Sequence, residues 1–177
     1  MPIAYAIMLA SFVYLSVGGQ DIGLSGKILL DGVYSSFILL AVPLFIIAAN
    51  IMNAGTISDR LLSFCVGLVG RFKGGMGHVN VVASLIFSGM SGSAVADAAG
   101  IGKIIIEMMT RTGHYTRGYA AAITAASATI GPIIPPSIPM VLYALVSNTS
   151  IGFLFLGGIL PGLIMGMVLM LMNTIIS

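Results

Sequence analysis

Apolar residues run in long blocks along this chain, and the few charged positions fall between the blocks. Residues 1–20, 32–58, 74–96 and 118–177 contain no Asp, Glu, Lys or Arg. A helix needs about 20 apolar residues to cross a hydrocarbon core, so the blocks offer several crossings and leave little chain for loops. The pattern predicts membrane helices within residues 1–55, at roughly 3–18 and 35–53, and another at roughly 150–174 within 150–176. Residues 56–72 pattern differently. Thr56 followed by Asp59 is a capping-box-like start. Ile57, Leu61, Leu62, Phe64, Cys65, Leu68, Val69 and Phe72 recur at helical spacing, with Asp59, Arg60 and Arg71 on the polar positions. That predicts an amphipathic helix lying in the membrane interface; a short helix packed inside the protein is the alternative.

Two apolar blocks are interrupted. Residues 74–110 carry Ser88-Gly89-Met90-Ser91-Gly92-Ser93 at their centre, then Ala94-Val95-Ala96-Asp97. Basic residues flank both ends: Arg71 and Lys73 before, Lys103, Arg111 and Arg117 after. Both ends on one side and a Gly/Ser centre describe a re-entrant hairpin, whose tip backbone is tolerated only against protein or a water-filled cavity. Gly permits close approach there, and Ser hydroxyls add oxygen ligands. Asp97 inside a membrane would cost roughly 2.5–3.5 kcal/mol, which makes it a functional candidate. The competing reading makes it the carboxylate that caps the returning arm.

The second interruption lies within 116–148. A small-residue helix over 118–130 meets Gly131-Pro132-Ile133-Ile134-Pro135-Pro136-Ser137-Ile138-Pro139, and apolar helix resumes near Met140. Prolines lack the amide proton and clash with the preceding turn, so this is a helix broken at its middle. Unwound carbonyls at such breaks coordinate Na⁺ in secondary transporters, and half-helix N-termini face anionic groups. Single prolines such as Pro43 and Pro161 read as kinks only.

Composition narrows the class. The chain is 58% hydrophobic and 7% charged, where a soluble domain runs near 25% charged. The expected fold is therefore an all-α integral membrane protein. Seven Lys/Arg against five Asp/Glu make no basic face, which excludes nucleic-acid binding. The lone Cys65 closes no internal disulfide and matches no metal-ligand spacing. No basic residue precedes the first apolar stretch, so it does not read as a cleavable signal peptide. Six of the seven basic residues lie between Arg60 and Arg117, which puts that stretch on the cytoplasmic side and the connection 20–34 outside. Trp is absent, so an aromatic belt would rest on Tyr5, Tyr14, Tyr34 and Tyr143.

The run Ser91 to Asp97, and Thr124-Ala125-Ala126-Ser127-Ala128-Thr129-Ile130-Gly131 continuing through Pro135, Pro136 and Ser137 to Met140, resemble the large membrane subunit of tripartite ATP-independent periplasmic (TRAP) transporters, the DctM-like family. Pro43-Leu44-Phe45-Ile46, Gly77-His78-Val79-Asn80 and Gly157-Gly158-Ile159-Leu160-Pro161-Gly162 agree with it as flanks. The resemblance implies an elevator-type secondary transporter of the bacterial inner membrane, not an enzyme. Two inverted repeats would each carry a re-entrant hairpin and a broken helix, and this chain would hold about one of them. It further implies sodium as the coupling ion, no other cofactor, and C4-dicarboxylates, sialic acids or other small organic acids as substrates. The implied partners are a small four-helix membrane subunit and a periplasmic substrate-binding protein. Carried over residue by residue, Ser91, Gly92 and Ser93 at the tip, and Ser127, Thr129, Gly131 and Ser137 at the break, would form the cation site and one wall of the substrate cavity, with Asp97, Pro135 and Pro136 beside them. In the family a further apolar helix precedes the point matched by Met1 and a second repeat follows. The chain is therefore expected to be a part: a truncated gene product, an isolated domain or one portion of a split subunit that lacks the second repeat.

Two other classes compete. Gly89-Met90-Ser91-Gly92 resembles the nucleophile motif of rhomboid-like intramembrane serine hydrolases, but a nucleophilic Ser needs a base within hydrogen-bond reach. Only His78 and His114 are available, both expected near the cytoplasmic surface. The third class is a structural or assembly subunit without transport activity, for which Gly158, Gly162 and Gly166 give the small-residue spacing of helix packing.

Overall fold

The computed structural model describes residues 3–19, 23, 26–27, 30–31, 37–54 and 57–176. Among the described residues every regular element is helical. The capping box at Thr56 and most of the 20–34 connection lie outside them. The chain divides into two units, residues 1–40 and 41–177.

In the first unit α1 spans Ile3–Val17. Its apolar side chains, from Tyr5 and Ile7 to Val13 and Val17, are exposed. Its serines are exposed too, but their hydroxyls are satisfied by the helix itself: Ser11 Oγ donates to the Ile7 carbonyl at 2.9 Å, one turn back. A helix that satisfies its hydroxyls on its own backbone and presents hydrocarbon suits a lipid surround. Helix α2, Phe37–Ala54, starts in this unit and continues into the second, with Pro43 inside it.

The second unit is built round α4, Gly75–Ser91. Helix α3 (Ile57–Val69) packs on it through Leu62 and Cys65, while Phe64 and Leu68 on its other side are exposed. After α4 the chain turns at Gly92-Ser93 and returns as α5 (Ala94–Asp97), a π-helical turn (Ala98–Gly102) and α6 (Lys103–Arg111). Helix α7 (Arg117–Ala128) packs against α4 and α6. The chain then breaks, resumes as α8 (Ile138–Ser147), and ends in α9 (Ile151–Ile176). Val79, Val81 and Phe87 of α4 meet Ile105 and Met109 of α6 and Ile123 of α7 in the core.

Sequence alone places the hairpin turn across Ser88–Ser93, but the helix persists to Ser91. Ser88 Oγ donates to the Leu85 carbonyl at 2.7 Å, and the Gly92 amide donates to the Ser88 carbonyl, so the serines continue the helix instead of unwinding it. Only Gly92 adopts the left-handed conformation that stops it, at φ 60°. The π turn leaves no periodic signature and goes unpredicted.

Among the described residues one helix, α9, is long and apolar enough to cross a membrane. Its small residues back onto the rest of the unit. Gly158 faces the Ile133 carbonyl, Gly162 the Ile134 side chain and Gly166 the Leu85 side chain. This small-residue spacing is therefore filled from within the chain. Replacing Gly162 by Val would drive a side chain into Ile134, and overpacking of this kind costs about 1–3 kcal/mol. The full chain in detergent should then melt several degrees lower, whereas Gly157→Val, which meets nothing within 4 Å, should melt like the parent. Equal melting of the two variants would contradict the seam.

Candidate functional site at the hairpin tip and helix break

The site starts from what Gly and Pro do to a helix. Left-handed Gly92 ends α4, and Ser93, in extended conformation, begins the return. Ser93 Oγ accepts from the Ala96 amide at 3.4 Å, so the cap of the returning arm is Ser93. Asp97 has a different job. Its Oδ1 accepts from Ser91 Oγ at 2.5 Å, and Ser91 Oγ in turn accepts from the Ser93 amide at 3.2 Å. The carboxylate thus pins the tip. Asp97 is only 8% exposed, and its Oδ2 has no hydrogen-bond partner among the described residues.

The break is a chain of tight turns. The Gly131 amide donates to Ala128 O and the Ile133 amide to Ile130 O, while Pro132, Pro135 and Pro136 have no amide to give. Ser137 closes it from the far side: its Oγ donates to the Pro132 carbonyl at 2.5 Å and accepts from the Met140 amide at 3.2 Å, capping α8. Pro139 follows in the first turn, where a missing amide costs nothing.

Tip and break meet. Gly92 lies so close to the Pro136 carbonyl that a Cβ would collide with it. A Cβ on Gly131 would sit 2.8 Å from Asp97 Oδ2 and 3.3 Å from the Ala94 amide nitrogen. The tip, with Ser91, Gly92, Ser93 and Asp97, therefore meets the break at Gly131 and Pro136; Pro135 faces Gly89 of α4, and Ser137 stays within the break as the cap of α8. Thr129 is not part of this contact; it is exposed, and its hydroxyl donates to Ala126 O. Ser127 lies deeper, fully buried, with its hydroxyl engaged by Asn80 and Ser84. Beside the tip opens a cavity of about 220 Å³, where Asn50 of α2 joins Ser91, Ser93 and Asp97 opposite Phe87 and Met90. At ~30 Å³ per water this holds several waters or a partly hydrated ion, but less than the 300–1,000 Å³ usual for a whole organic ligand.

Asn50 and Asn80 escape the sequence reading. Their signal is an amide side chain inside an apolar helix, and for Asn80 a polar stripe continued by Ser84 and Ser88 at four-residue spacing. The hydrolase constellation does not form. Ser91 points its hydroxyl at Asp97, and His78 lies about 20 Å away by helix rise, with Nε2 donating to the Lys73 carbonyl at 3.0 Å. His114 is in the exposed loop after α6.

A protein-family model described as "Tripartite ATP-independent periplasmic transporter, DctM component" matches residues 1–177. The chain is 44% identical over 174 residues to the sialic acid TRAP transporter large permease protein SiaM of Vibrio cholerae, covering 98% of this chain and 40% of that relative. It is 41% identical over 172 residues to the 2,3-diketo-L-gulonate TRAP transporter large permease protein YiaN of Escherichia coli, covering 97% and 40%. A Vibrio cholerae C4-dicarboxylate TRAP transporter large permease protein is 37% identical over 173 residues, at 97% and 38% coverage. The chain thus spans about two fifths of the length of these relatives.

Gly92 supplies the prediction of this geometry. Gly92→Ala must hold a Cβ both in left-handed backbone and against the Pro136 carbonyl. It should cost about 1–2 kcal/mol at least and lower the melting temperature of the full chain in detergent. Gly113→Ala shares the positive φ but meets nothing within 4 Å, and should cost less. A melting temperature for Gly92→Ala equal to that of Gly113→Ala would remove the tip from the break.

Proposed function

Because this chain belongs to the DctM component family of tripartite ATP-independent periplasmic transporters, we propose that it forms one hairpin-and-broken-helix repeat of a sodium-driven permease for small organic acids. The observation that carries this reading is the meeting of two non-helical segments, tip and break, at a buried carboxylate whose second oxygen has no partner among the described residues. A cation held there would satisfy Asp97 Oδ2, and the oxygens around it are hydroxyls, carbonyls and one carboxylate. Such oxygen ligands suit a hard cation rather than a transition metal.

In this reading residues 74–110 dip into the bilayer and return, 56–72 lie in the interface, 116–148 form the broken helix and 150–176 cross the membrane. Non-helical backbone at bilayer depth is sheltered because each segment covers the other. Sodium sits among Ser91, Gly92, Ser93, Asp97, Gly131, Pro135, Pro136 and Ser137, and the cavity beside Asn50 is one wall of the substrate chamber. The other wall belongs to the second repeat. Transport then requires that repeat, a small membrane subunit and a periplasmic binding protein, all at the bacterial inner membrane. The relatives are permeases for sialic acid, 2,3-diketo-L-gulonate and C4-dicarboxylate. All three compounds are small organic acids, and they form the panel for uptake assays.

Two measurements test the site in proteoliposomes containing the complete assembly. Replacing Pro135-Pro136 by Ala-Ala restores two amides and removes the ring constraint that shapes the break, so sodium-dependent uptake should fall at least tenfold, the equivalent of about 1.4 kcal/mol. Uptake with unchanged sodium dependence would remove the ion from the break. Ser91→Phe or Ser93→Phe should abolish uptake, while Ser11→Phe, on the exposed face of α1, should retain it. Equal losses at all three positions would argue against a site at the tip.

A further inference from the structure

Away from the tip, four polar side chains are buried between α4 and α7. The Asn80 Nδ2 group donates to Thr124 Oγ1 at 2.6 Å, and Thr124 Oγ1 donates to the Ala120 carbonyl at 2.7 Å. Ser127 Oγ accepts from Ser84 Oγ at 2.9 Å and has two acceptors for its own proton at 3.2 Å, Asn80 Oδ1 and the Thr124 carbonyl. Because Thr124 spends its proton on a carbonyl, it can only accept from Asn80, which fixes the orientation of the amide. Both of these links, Asn80 to Thr124 and Ser84 to Ser127, are therefore donated from α4 to α7. Asn80 and Ser127 are 0% exposed and Thr124 is 3% exposed, so water cannot substitute for a lost partner.

We infer that Asn80, Ser84, Thr124 and Ser127 are positioning residues, a polar latch that holds the hairpin's first arm in axial register with the first half of the broken helix. Ser84 lies about two turns below Ser91 on α4, and Ser127 about one turn below Gly131 on α7. A slide of α4 past α7 breaks the latch and moves Gly92 off the Pro136 carbonyl and Asp97 off Gly131. Apolar contacts tolerate such a slide; directed hydrogen bonds do not. The latch thus sets the distance between the two halves of the candidate ion site without touching the ion. Its functional consequence rests on the transport reading, while its structural content does not.

The test uses the full-length permease with its small membrane subunit in lipid nanodiscs. Thr124→Val keeps the side-chain shape and removes the hydroxyl; Thr124→Ser keeps the hydroxyl. Nitroxides on Val95 of α5 and Ala125 of α7, which line one surface groove, report the register by dipolar broadening. Thr124→Val and Asn80→Leu should broaden or shift the distance, and Thr124→Ser should leave it as in the parent. An unchanged spectrum in Thr124→Val, or equal disruption by Thr124→Ser, overturns the latch. In proteoliposomes with the binding protein and a panel substrate, Thr124→Val should raise the sodium concentration for half-maximal uptake roughly fivefold, with the maximal rate within twofold. Thr124→Ser should match the parent. A shifted distance with unmoved half-saturation also overturns the proposal, since the latch would then position nothing at the site. If the parent shows no sodium dependence at all, the sodium reading fails, and the distance measurement alone decides the latch.

Discussion

Pro132, Pro135 and Pro136 bring no amide hydrogen, and the architecture of this end of the molecule follows from that lack. A helix entering the segment from Arg117 runs out of donors and closes in tight turns over Ala128–Ile134. It can start again only where a side chain stands in for the missing backbone groups. Ser137 does so on both sides, giving its proton to the Pro132 carbonyl and taking one from the Met140 amide. One hydroxyl thus ties the two halves of the broken helix, and the carbonyls between them are left facing their neighbours.

Those neighbours are chosen for thinness. Gly92 and Gly131 let the hairpin tip and the break come within contact of each other's backbone, and Gly158 and Gly162 let α9 approach Ile133 and Ile134 from behind. Polar backbone removed from water is costly unless paired or enclosed. Here it is enclosed by a second polar segment on one side and a long apolar helix on the other. Asp97 completes the arrangement from within, its Oδ1 anchoring Ser91 and its Oδ2 turned toward Gly131.

At the opposite end, Asn173 performs a comparable service for α9. Its amide donates to the Gly74 carbonyl at 3.0 Å and its Oδ1 accepts from the Tyr119 hydroxyl. Thr174 meets His78 at 3.2 Å alongside. Helices α4, α7 and α9 are therefore fastened by polar side chains, the first pair by the Asn80 network and all three by Asn173. In a surround that offers no water, such bonds specify position where apolar packing alone would leave register loose.

The amino-acid sequence by itself determined the class and the punctuation. Long charge-free blocks, the proline cluster after Gly131 and the Gly/Ser run before Asp97 announced a helical membrane protein with two interruptions, because composition and missing amides act locally. What it left open was partnership. Asp97 is equally consistent in sequence with a cap and with a buried carboxylate, and only the approach of Gly131 made it the latter, with Ser93 taking the cap. Ser127 reads as a residue of the break, yet α4 claims its hydroxyl through Asn80, 47 positions away. The π turn at Ala98–Gly102, with Gly102 against the Thr124 methyl, likewise packs on α7. Each of these depends on the register of two helices far apart in the chain, and hydrogen bonds across that gap exist only once tertiary packing has fixed it.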